Sequence, residues 1–259
     1  MKRFVKNNVI LLALTVCLLT SAFINIILGG LVVKYYGYYN RICLDPAGLK
    51  VFAAKNLQLQ EPPAGTVRVV LFGDSRINHW RQMPSLPNFQ MINRGISGQT
   101  TAQALLRLDR DVIQLRPDVT IVQVGVNDLK TIGVFPESKD QIIDTCWENL
   151  SEIVNRMVDN NIDVILLNIF PPGSVELLRR PVWSNEIDNA IVKINEMMMS
   201  LKNQRVNVVD CNPILAPNKK IKPEYEKETL HLTAEAYQVL NSALNPILEE
   251  WLQKHRNGS

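Results

Sequence analysis

Five short apolar runs, Val67–Phe72, Phe89–Asn93, Val119–Val124, Val164–Ile169 and Val206–Val209, recur along the chain with helical patterns between and after them. Runs this short and this rich in valine and isoleucine read as strands buried inside a sheet. Thr101–Leu115, Gln141–Asp159, Asn185–Leu201 and a last segment from about Ala234 to Gln253 carry apolar residues at spacings of three and four, the period of an amphipathic helix. Such alternation predicts a parallel sheet with helices on both faces. Ligands of such sheets lie beyond the carboxyl ends of the strands, so the residues just after each run are the ones placed to do chemistry.

The first run leads into Gly73-Asp74-Ser75. A serine hydroxyl is a poor nucleophile until an imidazole accepts its proton during attack on a carbonyl. The chain has three histidines, at 79, 231 and 255. His255 belongs to the polar tail, where fraying is expected. His79 lies one helical turn after Ser75, and beside Trp80 and Arg81 it reads as a solvated helix residue. His231 sits in Glu228-Thr229-Leu230-His231-Leu232-Thr233, with a carboxylate three positions earlier that can reach the ring and fix its tautomer. Thr233 reads as the N-cap of the last helix.

Two more strand ends carry candidate groups. Phe89–Asn93 leads into Arg94-Gly95-Ile96-Ser97-Gly98, and Val119–Val124 into Gly125-Val126-Asn127-Asp128. Glycine permits close backbone approach to a ligand, and an asparagine amide is a neutral donor for a developing oxyanion; a turn glycine and a helix-capping asparagine explain each equally well taken singly. Ser97 is a rival nucleophile only on paper, lacking a strand-to-helix turn as sharp as that at Ser75.

In order and spacing these segments resemble the SGNH (GDSL-type) hydrolase family. Gly73-Asp74-Ser75 is similar to its first block, Gly95 to its second, Gly125-Val126-Asn127-Asp128 to its third and Glu228-Thr229-Leu230-His231 to its last, over roughly residues 65 to 254. The resemblance implies Ser75 as nucleophile, His231 as base, and the Ser75 amide, Gly95 amide and Asn127 side chain as oxyanion donors. It implies a flavodoxin-like three-layer α/β/α sandwich, here with a five-stranded parallel sheet, agreeing with the alternation of strands and helices. The family usually has Asp three residues before the histidine, where this chain has Glu228. The extra methylene alters reach but keeps the charge that stabilises imidazolium.

Lys2, Arg3 and Lys6 precede an almost uninterrupted apolar stretch from Val9 to Val33, long enough to cross a bilayer. A signal peptide cleaved after Thr20-Ser21-Ala22 is the competing reading, which would make the domain secreted. Cleavage there leaves a greasy terminus of Phe23 to Val33, favouring an uncleaved anchor. The predicted organisation is therefore a cytoplasmic basic tail (1–8), a transmembrane anchor (9–33), a stem (34–64) and a hydrolase domain (65–259) outside the cytosol. Tyr35, Tyr36, Tyr38 and Tyr39 suit an interfacial aromatic belt. Cys17, Cys43, Cys146 and Cys211 show no CxxC spacing, and only a Cys146–Cys211 bridge stays open. Asn149-Leu150-Ser151 and Asn257-Gly258-Ser259 match the glycosylation pattern, relevant only in a eukaryotic host.

With a net charge of +3 and no basic run interleaved with aromatics, nothing supports nucleic-acid binding. The expected activity is ester hydrolysis without metal or organic cofactor, on a small-molecule, lipid or glycan ester. An O-acyltransferase with the same triad and a catalytically silent tethered binding domain are the alternatives. Arg76, Arg94, Arg179, Arg180 and Trp183 form a candidate rim for an anionic or sugar-bearing substrate. Ordinary surface pairing of arginines with Asp109, Glu176 or Glu186 competes with that reading.

Overall fold

The computed structural model describes residues 2–256, and divides into an N-terminal unit ending at Pro46 and a compact unit starting at Ala47. The N-terminal unit is one helix, α1 (Lys2–Leu44), containing a segment, Asn7–Leu44, apolar and long enough to cross a membrane. It outruns the expected span of 9–33 because nothing after Val33 breaks a helix until Pro46. The side chains of Lys2, Arg3 and Lys6 and the Asn257 glycosylation pattern lie outside the described residues.

In the compact unit, β1 (Val67–Gly73), β2 (Phe89–Gly95), β3 (Val119–Gln123), β4 (Asp163–Leu167) and β5 (Val206–Val209) form one parallel sheet in the order β2-β1-β3-β4-β5. Alternate residues of each strand feed two cores. Val70, Phe72, Val122 and Leu166 face α4 (Thr101–Asp111), α6 (Lys139–Asp159) and α7 (Asn185–Met198). Val69, Leu71, Ile121 and Leu167 face α8 (Asn212–Leu215) and α9 (Ala234–Arg256). This is the expected three-layer sandwich. The expected helices appear within a few residues of their predicted ends, two of them closing in short 3₁₀ turns at 113–115 and 199–201. Cys146 and Cys211 are both free and buried in the two separate cores, so no bridge joins them.

The compact unit begins at Ala47 and not at the expected residue 65. Ala47 and Phe52 are buried, the Gln99 amide donates to the Ala47 carbonyl (2.6 Å), and α2 (Ala53–Leu57) supplies Asn56, whose Oδ1 accepts from Arg94 Nε (2.8 Å). The segment lacks any hydrophobic period, which is why its sequence resembles a polar stem; side-chain hydrogen bonds hold it down.

The strand order reverses between β1 and β3. Ligands of such sheets lie beyond the strand ends at that point, and Ser75 and Asn127 lie just past β1 and β3 respectively.

Candidate active site

β1 ends at Gly73, where any Cβ would overlap the Gln123 carbonyl of β3. The next residue, Asp74, caps α3 (Ser75–Asn78) by accepting from the Arg76 amide (2.9 Å). Ser75 is thereby placed on the first turn of a short helix at the sheet's carboxyl edge. Burial lifts the Asp74 carboxyl to about 6 against the pull of Arg76.

His231 comes from the turn between β5 and α9. The Lys227 amide donates to the His231 carbonyl (3.1 Å) and Thr233 Oγ1 to the Glu224 carbonyl (3.0 Å), fixing the turn. His231 Nε2 lies 2.7 Å from Ser75 Oγ, and His231 Nδ1 is in contact with Glu228 Oε1. A carboxylate can only accept, so Nδ1 carries the proton and Nε2 is left to accept from the serine hydroxyl. Glu228 Oε2 accepts from Arg179 Nη2 at 3.4 Å. The longer side chain therefore reaches the ring. Burial lowers the His231 pKa below the usual 6.5, while Glu228 opposes that shift.

α5 (Val126–Leu129) carries Asn127, which is buried. Its Nδ2 donates to the Gln99 carbonyl (3.0 Å) and its Oδ1 accepts from Lys130 Nζ (2.6 Å). The two partners fix which way the amide points and leave one N–H for a ligand. Asp128 locks this turn to the start of α4, taking the Thr101 amide (2.9 Å) and hydroxyl (2.6 Å); burial lifts its carboxyl to about 6.

Gly95 departs from expectation. Its amide donates to Asn93 Oδ1 (2.9 Å), its carbonyl accepts from Asn78 Nδ2 (3.1 Å), and a Cβ there would overlap the Asn78 backbone nitrogen. It is a close-packing glycine between β2 and α3 with its donor already used. Gly98 has φ +80° and open space where a Cβ would stand, and it precedes Gln99, the partner of Asn127.

Two members of the candidate rim lie inside the protein. Arg76 is 2% exposed and Arg94 5%. Arg76 Nε and Nη1 donate to the carbonyls of Leu230 and Phe170 (both 2.9 Å), tying the turn of Ser75 to the turn of His231. Arg94 donates to Asn56 and lies 4.8 Å from the Phe52 ring centroid. Each donates to carbonyl or amide oxygens inside the protein. Arg179 pairs with Glu176 (3.0 Å), the ordinary surface pairing, and also reaches the site through Glu228. Arg180 is exposed, and Trp183 is half-buried against the core.

Two residues packed against the site are not apparent from the sequence. Arg107, fully buried, donates to the carbonyls of Gly73 (2.8 Å) and Arg94 (2.8 Å), bracing two strand ends; burial pushes it down to about 10, with Asp111 opposing. His79 is no solvated bystander: its ring centroid lies 4.5 Å from that of His231. The helical spacing from Ser75 is its only sequence signal.

Known proteins place the chain in a family. The GDSL-like lipase/acylhydrolase family matches residues 68–239. An uncharacterized lipoprotein of Bacillus subtilis is 30% identical over 120 residues, 40% of this chain and 48% of its own length. An arylesterase of Vibrio mimicus is 30% identical over 82 residues, 32% of this chain and 37% of its own. The chain thus spans half or less of the curated relatives it matches. The crystal structure of a GDSL-like lipase from Bacteroides thetaiotaomicron superposes with a TM-score of 0.63 at 26% identity, covering 79% of this chain and 98% of that one.

Proposed function

Since the chain belongs to the GDSL-like lipase/acylhydrolase family, we propose that it is a membrane-anchored serine ester hydrolase acting on an ester outside the cytosol. The observation that carries this reading is the hydrogen-bonded series Ser75 Oγ, His231 Nε2, His231 Nδ1, Glu228 at the sheet edge where the strand order reverses.

Ser75 Oγ attacks the carbonyl carbon of the ester while His231 Nε2 takes its proton, and Glu228 stabilises the imidazolium. The tetrahedral oxyanion is met by the free Asn127 N–H, by the Ser75 amide and by the amide of Gly98, which replaces Gly95 in that role. Collapse breaks the C–O bond, and His231 returns the proton to the departing alcohol. Water, deprotonated by the same nitrogen, then attacks the acyl-serine and releases the acid. Arg76 and Arg107 position the two halves of this machinery without touching substrate. α1 serves as the anchor, with the basic N-terminus in the cytosol.

Turnover of para-nitrophenyl acetate by the full-length protein, with products analysed in the presence and absence of an acceptor sugar, tests the reading. Free acetate in both cases is expected. Transfer of acetyl to the sugar would replace hydrolase with acyltransferase. No turnover by folded protein would sink both.

A further inference from the structure

The segment between β4 and α7 crosses the carboxyl edge of the sheet, and its first half is fastened to the turn that bears the catalytic pair. The Gly173 amide donates to the Thr229 carbonyl (2.8 Å), the Ser174 amide to Glu226 Oε1 (2.8 Å) and the Glu176 amide to Thr229 Oγ1 (3.2 Å). Arg179 closes the span on Glu228. Pinned at 176 and 179, the chain presents Leu177 and Leu178 between those points, 74% and 92% exposed. Further along the segment Val182 is also exposed, and a Cβ on Gly133 would overlap its carbonyl, which brings the exposed Val134 and Phe135 alongside Val182. Arg180, on the same segment, is exposed and without an ion pair among the described residues.

Single exposed leucines are ordinary, but several exposed apolar side chains on a segment fastened beside the candidate active site mark a surface that is covered in use. We infer that this surface contacts the bilayer: Leu177 and Leu178 enter the headgroup region, Arg180 meets anionic phosphates, and the candidate active site is held at the membrane. The inference rests on the reading of α1 as an anchor. Composition favours lipid, since aliphatic side chains flanked by arginine partition to a membrane interface. Five side chains fall well short of the roughly 20 residues a side that a stable protein interface uses, which disfavours a second copy.

The test uses the full-length chain with Cys17→Ser and Cys43→Ser; the remaining cysteines, Cys146 and Cys211, are buried. A Leu178→Cys variant carries an environment-sensitive fluorophore and is reconstituted into vesicles of phosphatidylcholine and phosphatidylglycerol in equal parts, doped with headgroup-nitroxide lipid. Leu106→Cys, on α4 and 68% exposed, is the reference position. Stronger quenching at 178 than at 106, weakened by Arg180→Gln, is expected. Protein that floats with the vesicles but shows equal quenching at both positions overturns the inference and leaves the anchor standing. Protein that does not float refutes the anchor and this inference together. As a second readout, Leu177→Ser with Leu178→Ser should lower the ratio of membrane-borne to soluble ester turnover at least about tenfold. An unchanged ratio overturns the proposal.

Discussion

Glu228 contacts the imidazole with one carboxylate oxygen and Arg179 with the other, so the glutamate is held at both ends of its charge. The extra methylene does not prevent that contact. Because the proposed base His231 acts in its neutral form and burial holds its pKa below 6.5, kcat/KM should rise with pH through a midpoint below that value and then level off. Glu228→Gln removes the charge opposing the shift. The limb should then move to still lower pH while kcat falls, on the order of 10²- to 10⁴-fold by analogy with other triads; a pH–rate profile of both proteins checks it, and a limb moving upward would contradict it. Asn127→Ala should cost about 10²–10³ in kcat. Lys130→Met should cost less but likewise in kcat more than in KM, since Lys130 aims the Asn127 amide. Steady-state kinetics with a soluble ester separates the two parameters.

At the scale of elements, Gly95 at the end of β2 and Gly98 beyond it divide the labour between packing and the proposed oxyanion contact. A Cβ at Gly95 would overlap the backbone of α3, so Gly95→Ala should displace the nucleophile's helix and cost several kcal/mol. Gly98→Ala meets no atoms and suffers only the φ of +80°, on the order of 1 kcal/mol. Chemical denaturation of both variants distinguishes them; equal stability losses would contradict the assignment. The sequence could not make this division. A glycine signals backbone freedom, but whether its amide is free depends on Asn93 folding back onto it. Strands and long helices, by contrast, were legible because their periods report burial directly. Residues 47–60 were not, since Asn56, Gln99 and Arg94 join that segment to the domain by contacts far apart in sequence.

At the scale of the whole molecule, the fold brings Ser75 within hydrogen-bonding distance of His231 from 156 positions away. Local spacing shows neither that meeting nor which arginines are buried; Arg76 and Arg94 advertise charge in the sequence, while burial is decided by the carbonyl groups they satisfy. The pair itself was legible because few histidines were available and one of them followed a carboxylate by three residues. Covalent labelling by a fluorophosphonate probe tests that meeting most directly. Full-length protein should be labelled on Ser75, with labelling lost in Ser75→Ala and strongly slowed in His231→Ala. Folded wild-type protein that resists the probe, or labelling that persists in Ser75→Ala, would contradict a serine nucleophile at this position.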